Sequence, residues 1–357
     1  MRSLLHILQH CLAGILFLLA LLPGVVSAAA SEVTVAAFPA GFPYKAYTTK
    51  DGLGRDIRFY ATPASDDRPL ILVLQGSGCT SQFFNRDGQV SAGWHAFVRR
   101  AAGSRAQVLL VEKPGVELFD APQNPGGAAN CSDVFRREQT GERWLAALRA
   151  ALDATISLRG AKPRNIMVLG HSEGAVFAVR LAAQDARVSH VASLSATPSS
   201  QLLDFFDMAA AGEGFISRRP GSNKAENIGR VLDAWRDVSA DPASDSKQVF
   251  GHAHRYWADK FAPFDFSSLN KSPAKFFLAY GDRDENSAPR VMDAFAIELL
   301  TRKRDLTWLR VEGADHSFGG QPDPARTGMS KVVEFAVAWM FGEEFERKSV
   351  VWPRPAS

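Results

Sequence analysis

Residues 166–174 read Ile-Met-Val-Leu-Gly-His-Ser-Glu-Gly, a short apolar run that passes directly into the pattern Gly-x-Ser-x-Gly. The apolar run predicts a buried strand, and the pattern that follows predicts a helix over 175–183. A serine at such a junction occupies a sharp turn, and flanking glycines leave room where a Cβ would collide with neighbouring backbone. Ser172 is therefore predicted to project its hydroxyl above the edge of a sheet, as a candidate nucleophile.

Similar apolar runs recur along the chain, separated by helical patterns. Strands that alternate with helices predict a mostly parallel sheet. Because the runs from Leu70 onward are continuously apolar, we expect helices on both faces of that sheet, and hence an α/β fold. Besides 166–169, the predicted strands are 57–61, 70–74, 108–112, 188–194, 276–280 and 306–311, and the other predicted helices are 94–101, 140–158, 291–300 and 331–341.

Two downstream loops carry the groups that a serine nucleophile needs. A hydroxyl is a poor nucleophile at neutral pH, so it requires a base and a group that orients the base. The run 276–280 is followed by Gly281-Asp282-Arg283-Asp284, and the run 306–311 by Glu312-Gly313-Ala314-Asp315-His316. Functional groups gather at the carboxyl ends of the strands of an open parallel sheet. We therefore expect both loops to converge on Ser172.

Together these features resemble the α/β-hydrolase superfamily over roughly residues 55–345. The resemblance rests on the order serine, acid, histidine and on the Gly-x-x-Asp and Gly-x-x-His spacings of the two loops. It implies that Ser172 is the nucleophile, His316 the general base and then acid, and Asp284 the orienting carboxylate. Asp282 is the alternative acid, and Asp315 is interpreted as a turn former.

The same resemblance implies an oxyanion hole built from backbone N–H groups. One donor is expected from Glu173, the residue after the nucleophile. The other is expected from the loop Gln75-Gly76-Ser77-Gly78-Cys79-Thr80, with Ser77 as first choice and Gly78 as second. Gln75 stands where many members have histidine, a departure from the lipase-like subfamily. The Glu173 carboxylate could bind a substrate amine, or it could simply be favourable with the helix dipole.

The first 30 residues have the order of a secretory signal peptide. An apolar stretch over 11–22 precedes Pro23-Gly24 and a run of small residues that ends at Ala30. We expect cleavage, export to the periplasm or the medium and no stable membrane span afterwards, with an uncleaved anchor as the alternative. Two cysteines then remain, Cys79 and Cys131, which predict one disulfide in an oxidising compartment or, alternatively, two unpaired thiols.

Residues 199–272 break the alternation of strands and helices, because they contain no clear strand and are rich in aromatic residues. We interpret them as a helical cap inserted between the two parts of the hydrolase core, 31–198 and 273–357. The aromatic residues could line an apolar pocket or form the cap's own core. They are Phe205, Phe206, Phe215, Trp235, Tyr256, Trp257, Phe261, Phe264 and Phe266.

Composition narrows the function. The 357 residues are 46% hydrophobic, which excludes a mainly disordered chain, and 41 Lys+Arg against 38 Asp+Glu leave no surplus charge for nucleic acid. No Cys/His spacing resembles a zinc site, and no metal or cofactor is expected. The sequence thus predicts an exported, carboxylesterase-like serine hydrolase that cleaves an ester, thioester or amide of a small-molecule or peptidyl acyl substrate. A peptidase or acyltransferase on the same triad, and a catalytically silent binding module, are the alternatives.

Overall fold

The computed structural model describes residues 32–122, 126–320 and 328–343, so the predicted signal peptide over 1–30 lies outside the described residues. The strands are β1 (Thr34–Ala36), β2 (Lys45–Lys50), β3 (Asp56–Ala61), β4 (Leu70–Leu74), β5 (Phe83–Arg86), β6 (Gln89–Ala92), β7 (Gln107–Val111), β8 (Ile166–His171), β9 (His190–Leu194), β10 (Gln248–Val249), β11 (His252–Ala253), β12 (Lys275–Gly281) and β13 (Leu306–Val311). The α-helices are α1 (His95–Ala102), α2 (Asp133–Glu138), α3 (Gly141–Arg159), α4 (Glu173–Gln184), α5 (Gln201–Ala211), α6 (Lys224–Ala240), α7 (His254–Phe261), α8 (Pro289–Thr301) and α9 (Met329–Met340).

A nine-stranded sheet organises the fold, in the order β1-β2-β3-β7-β4-β8-β9-β12-β13. The first three strands pair antiparallel with their neighbours, and the six from β7 to β13 run parallel. The predicted α/β fold with a mostly parallel central sheet is confirmed. Because β8 lies between β4 and β9, the turn after it opens near the middle of the parallel strands.

Helices cover both faces of the sheet, which explains the continuously apolar strands. In β4, Leu70, Leu72 and Leu74 face the core packed by α3, α4 and α8, whereas Ile71 and Val73 face the core packed by α1 and α9. Each residue of the strand is thus buried, as expected for a strand covered on both sides. None of the described helices is long and apolar enough to cross a membrane.

Residues 199–272 hold α5, α6, α7 and the two-residue strands β10 and β11, which pair as a small hairpin that the sequence did not predict. The aromatic residues divide between different environments. Phe205, Tyr256, Trp257 and Phe261 are buried in a core of this segment, with Phe215 partly buried against it. Phe264 and Phe266 pack on the main core instead. Phe206 and Trp235 are exposed. The interpretation as an inserted cap stays a prediction.

Candidate active site

The turn between β8 and α4 places Ser172 in a conformation that side chains rarely adopt. Its φ is 57° and its ψ −128°, and its N–H donates to the carbonyl of Leu194 at 2.9 Å. The flanking glycines make this turn possible. A Cβ on Gly170 would lie 2.1 Å from the carbonyl oxygen of Gly174, and a Cβ on Gly174 would lie 2.2 Å from that of Leu74. The backbone strain is therefore held in place by close backbone packing on both sides.

The loops after β12 and β13 bring Asp284 and His316 together. The His316 Nδ1–H donates to both carboxylate oxygens of Asp284, at 2.9 and 2.8 Å. The side chain of Asp284 is fully buried, and one of its oxygens also accepts the N–H groups of Asn286 and Ser287 at 2.8 and 2.9 Å. A carboxylate fixed in this way sets the orientation of the imidazole and favours the tautomer that leaves Nε2 free.

The other two aspartates of these loops have structural contacts. Asp282 accepts the N–H of Gly313 at 2.6 Å and so ties one loop to the other. Asp315 accepts the N–H groups of Ser317 and Gly319, both at 2.8 Å, in the turn that carries His316. The histidine thus has Asp284 as its carboxylate partner, and the alternative assignment to Asp282 has no support from the geometry.

His171 connects the histidine loop to the turn that carries Ser172. Its Nε2–H donates to the carbonyl oxygen of His316 at 2.8 Å, and the two rings lie 4.9 Å apart. Burial, reinforced by His316 nearby, lowers the pKa of His171 to about 3, so the ring is neutral. Among the described residues no hydrogen bond joins Ser172 Oγ to His316. Sequence reasoning missed this contact of His171.

The loop after β4 packs directly on Ser172. A Cβ on Gly76 would lie 3.3 Å from Ser172 Cβ. In the part of the chain that the structure describes, the backbone N–H groups of Ser77, Gly78 and Glu173 donate to no other residue. The loop expected to supply one oxyanion donor thus approaches Ser172 at Gly76, and the candidate N–H groups have no partner among the described residues.

The Glu173 side chain is buried between two lysines. Lys113 Nζ lies 2.5 Å from one carboxylate oxygen, and Lys260 Nζ lies 3.1 Å from the other. Burial by itself would raise the pKa of Glu173, but the two ammonium groups outweigh it and hold the pKa well below its ordinary value. The carboxylate is thus already neutralised, which argues against the idea that it binds a substrate amine. Sequence reasoning missed both lysines, and the one local signal is that Lys113 comes shortly after the apolar strand β7.

A disulfide joins Cys79 to Cys131, with 5.8 Å between the Cα atoms, as expected from the two cysteines. It fixes the end of the 75–80 loop to the segment that precedes α2. Both cysteines are buried in a small apolar cluster with Val116, Ala128 and Phe135. No group of three or more His, Cys, Asp or Glu side chains within residues 32–122, 126–320 and 328–343 is placed to hold a metal ion.

Comparison with solved structures shows the same fold at low sequence identity. The carboxyl esterase from Bacillus coagulans matches with a TM-score of 0.54 and 13% identity, over 84% of this chain and 99% of that one. Est1E from Butyrivibrio proteoclasticus, solved with ferulic acid bound, matches with a TM-score of 0.52 and 15% identity, over 81% and 96%. The acylaminoacyl peptidase from Pyrococcus horikoshii matches with a TM-score of 0.55 and 12% identity, over 88% of this chain and 43% of the longer peptidase.

A comparison with curated protein sequences gives no match. The model of the alpha/beta hydrolase family matches residues 71–327, which is more than half of the chain. This range contains the serine turn and the acid and histidine loops, and it agrees with the sheet order and with the solved structures. The chain therefore belongs to the alpha/beta hydrolase family.

Proposed function

We propose that this hydrolase is an exported serine hydrolase that cleaves an ester, thioester or amide through an acyl-enzyme. The observation that carries the proposal is the bidentate contact between Asp284 and His316 beside the strained turn of Ser172. A histidine oriented by a buried carboxylate, next to a serine at a strand-to-helix turn, is the arrangement that activates a hydroxyl.

Each proposed catalytic residue acts at a different stage of acyl transfer. His316 Nε2 takes the proton of Ser172 as Oγ bonds to the substrate carbonyl carbon, while Asp284 stabilises the imidazolium. The N–H groups of Ser77 and Glu173 bind the oxyanion of the tetrahedral intermediate. The imidazolium then gives its proton to the leaving alcohol, thiol or amine. In the second half of the reaction, His316 Nε2 takes a proton from water as the water oxygen bonds to the acyl carbon. The imidazolium then returns a proton to Ser172 Oγ as the ester bond to the serine breaks and the acid leaves.

We propose a carboxylesterase-like specificity ahead of a peptidase or acyltransferase. The similar solved structures include esterases and an acylaminoacyl peptidase, so the fold alone does not determine which bond is cleaved. The ion pairs of Glu173 bear on this choice, because they remove the carboxylate beside the nucleophile as a site for a substrate amine. Esters without a free amine are therefore the first substrates to try.

Export is the second part of the proposal. The predicted signal peptide over residues 1–30 and the disulfide between Cys79 and Cys131 support it independently, since disulfides persist in oxidising compartments. The protein that acts on substrate is then the mature chain from Ser31, in the periplasm or the medium.

The test is turnover by that mature chain on a panel of p-nitrophenyl esters and aminoacyl p-nitroanilides. We expect ester hydrolysis that falls by about 10³-fold or more in Ser172→Ala. Ser195→Ala is a matched control, because Ser195 also has a φ of 57° and its buried hydroxyl bonds to none of the described residues. Wild-type turnover in Ser172→Ala would contradict the mechanism, and faster cleavage of the anilides than of the esters would favour the peptidase alternative.

A further inference from the structure

Lys113 follows β7 and has a buried ammonium group whose donors are all used at the candidate active site. Its side chain is only 5% exposed. Its Nζ donates to the carbonyl oxygens of Gly76 and Gly78, at 2.5 and 3.2 Å, and to the Glu173 carboxylate at 2.5 Å. An ammonium group has three N–H donors, so these contacts leave none for substrate. Lys113 thus joins the two backbone segments that supply the proposed oxyanion donors.

The contact with Gly76 determines which way the next N–H points. The Gly76 carbonyl and the Ser77 N–H belong to one planar trans peptide unit, in which the two bonds point in opposite directions. Because Lys113 holds the carbonyl on one side, the Ser77 N–H is turned to the other. That peptide unit packs against the nucleophile, since a Cβ on Gly76 would come within 3.7 Å of Ser172 Oγ.

The second proposed donor is tied to the same ammonium group. Glu173 supplies its backbone N–H to the oxyanion hole, while its carboxylate, only 7% exposed, binds Lys113. A positive charge at the carbonyl end of the Gly76–Ser77 peptide also polarises that peptide, which strengthens its N–H as a donor. Both the direction and the strength of the Ser77 donor therefore depend on Lys113, and the side chain of Glu173 is tied to the same ammonium group.

Lys260 of α7 provides an internal comparison. It binds the opposite oxygen of Glu173 at 3.1 Å, and its Nζ lies 3.8 Å from the centre of the Phe177 ring. It is as deeply buried as Lys113, with 2% of its side chain exposed. Within the described part of the chain, its ion pairs and ring contacts are with Glu173, Asp259, Phe177 and Tyr256, and none is with the 75–80 loop. Both lysines place a positive charge beside Glu173, but Lys260 Nζ makes no hydrogen bond to the described residues, whereas Lys113 is hydrogen-bonded to the 75–80 loop. Removal of either charge tests the ion pair with Glu173, and only removal of Lys113 tests the contact with the loop.

We propose that Lys113 is a positioning residue of the oxyanion hole. It holds the two donor segments in place by binding the Gly76 carbonyl and the Glu173 carboxylate. The inference rests on the proposed serine hydrolase function. A buried lysine is costly to desolvate unless it is paired and hydrogen-bonded. Here every contact that offsets the cost lies within one or two residues of a proposed oxyanion donor or of Ser172.

The test compares Lys113→Met with Lys260→Met in the mature chain. Methionine keeps the length of the side chain and removes the charge. For Lys113→Met we expect kcat on a p-nitrophenyl ester to fall by about 10- to 100-fold with KM changed by less than threefold, since loss of a whole oxyanion donor costs about 10²- to 10³-fold. For Lys260→Met we expect a fall in kcat of less than threefold.

A boronic acid gives a readout that a structural role would not move. It forms a bond from boron to Ser172 Oγ, the serine proton passes to His316, and the resulting tetrahedral boronate carries its negative charge into the oxyanion hole. Its Kd should rise in Lys113→Met by about the factor that kcat falls. In Lys113→Met the Glu173 carboxylate keeps its ion pair with Lys260, so this variant should fold. The double variant K113M/E173Q removes both groups of the Lys113 ion pair, leaves Lys260 beside Asp259 and should show the same loss.

The outcomes separate the two proposals. If the wild-type chain has no turnover above that of Ser172→Ala, the proposed function and this inference both fall. If the wild-type chain hydrolyses the ester and the double variant keeps the wild-type kcat and boronate affinity, only the proposed role of Lys113 is refuted. An equal loss in Lys260→Met would also overturn it, because the cluster would then act through stability alone.

Discussion

Removal of the disulfide between Cys79 and Cys131 should lower the free energy of unfolding by about 4 kcal/mol. The two cysteines are 52 residues apart, so the cross-link closes a long loop and removes many conformations from the unfolded chain. The chain-entropy relation gives about 3 kcal/mol for a 15-residue loop and about 4.7 kcal/mol for a 100-residue loop, which brackets this value. With an unfolding entropy of about 0.7 kcal/mol per kelvin for a protein of this length, the melting temperature should fall by about 6 °C.

The variant to compare is the double substitution Cys79→Ala and Cys131→Ala in the mature chain. Alanine suits the site because both cysteines are buried among apolar neighbours, where serine would bury a hydroxyl without a partner. Urea unfolding of both proteins, with and without dithiothreitol, gives the free energies. We expect the reductant to destabilise the wild type to the level of the variant and to leave the variant unchanged.

The reasoning would be refuted by a wild-type protein whose unfolding midpoint does not move under reductant once the bond is shown by mass spectrometry to be broken. A variant as stable as the oxidised wild type would refute it equally. Either result would mean that the loop is already restricted in the unfolded chain, so that the cross-link removes little entropy.

Three further predictions concern the turn, the acid and a buried carboxyl. Gly174→Ala should lower the free energy of unfolding by about 3 kcal/mol, because the added Cβ would overlap neighbouring backbone. Gly229→Ala in α6 should raise it by about 0.5–1 kcal/mol, because no atom lies within 4 Å of the added Cβ. Equal unfolding midpoints for the two variants would contradict this. Asp284→Asn should lower kcat by about 10⁴-fold with KM nearly unchanged, because an amide favours the wrong histidine tautomer, and a loss below tenfold would speak against its role. Burial raises the pKa of Glu112 to about 7, so the folded state binds the carboxyl proton more tightly than the unfolded state does. The free energy of unfolding should therefore fall as pH rises from 4.5 to 7. Glu112→Gln should remove about 3 kcal/mol of that decline, as measured by urea unfolding at several pH values.

The sequence predicted those parts of the fold that a strong local pattern encodes. The apolar runs at 70–74 and 166–169 correspond to β4 and β8. They were identified correctly because a strand that is buried on both faces is apolar at every position, which is a strong sequence pattern. The hairpin of β5 and β6 was not predicted, although Asp87-Gly88, both at positive φ, is a strong two-residue turn signal. The two strands are short and half-exposed, so they contain too few apolar residues to be recognised as strands from the sequence.

The proposed site was predicted where a motif and a strand end coincide. Ser172 and His316 follow buried strands in short glycine-bearing loops, and the contact of His316 with Asp284 was implied by the resemblance to the α/β-hydrolase superfamily. The Lys113 contacts were not, because they join segments 37 and 60 residues apart in sequence. A buried ion pair leaves no periodic pattern in sequence, since it depends on which loops the sheet order brings together.

The most direct test of the central claim is to label the mature chain with a fluorophosphonate probe and to locate the adduct by mass spectrometry. Only an activated serine attacks the phosphorus and displaces fluoride, so the probe reports the nucleophile without knowledge of the substrate. The account predicts one adduct on Ser172, absent in Ser172→Ala and strongly reduced in His316→Ala. An adduct on another serine, or no labelling of the folded wild-type protein, would contradict it.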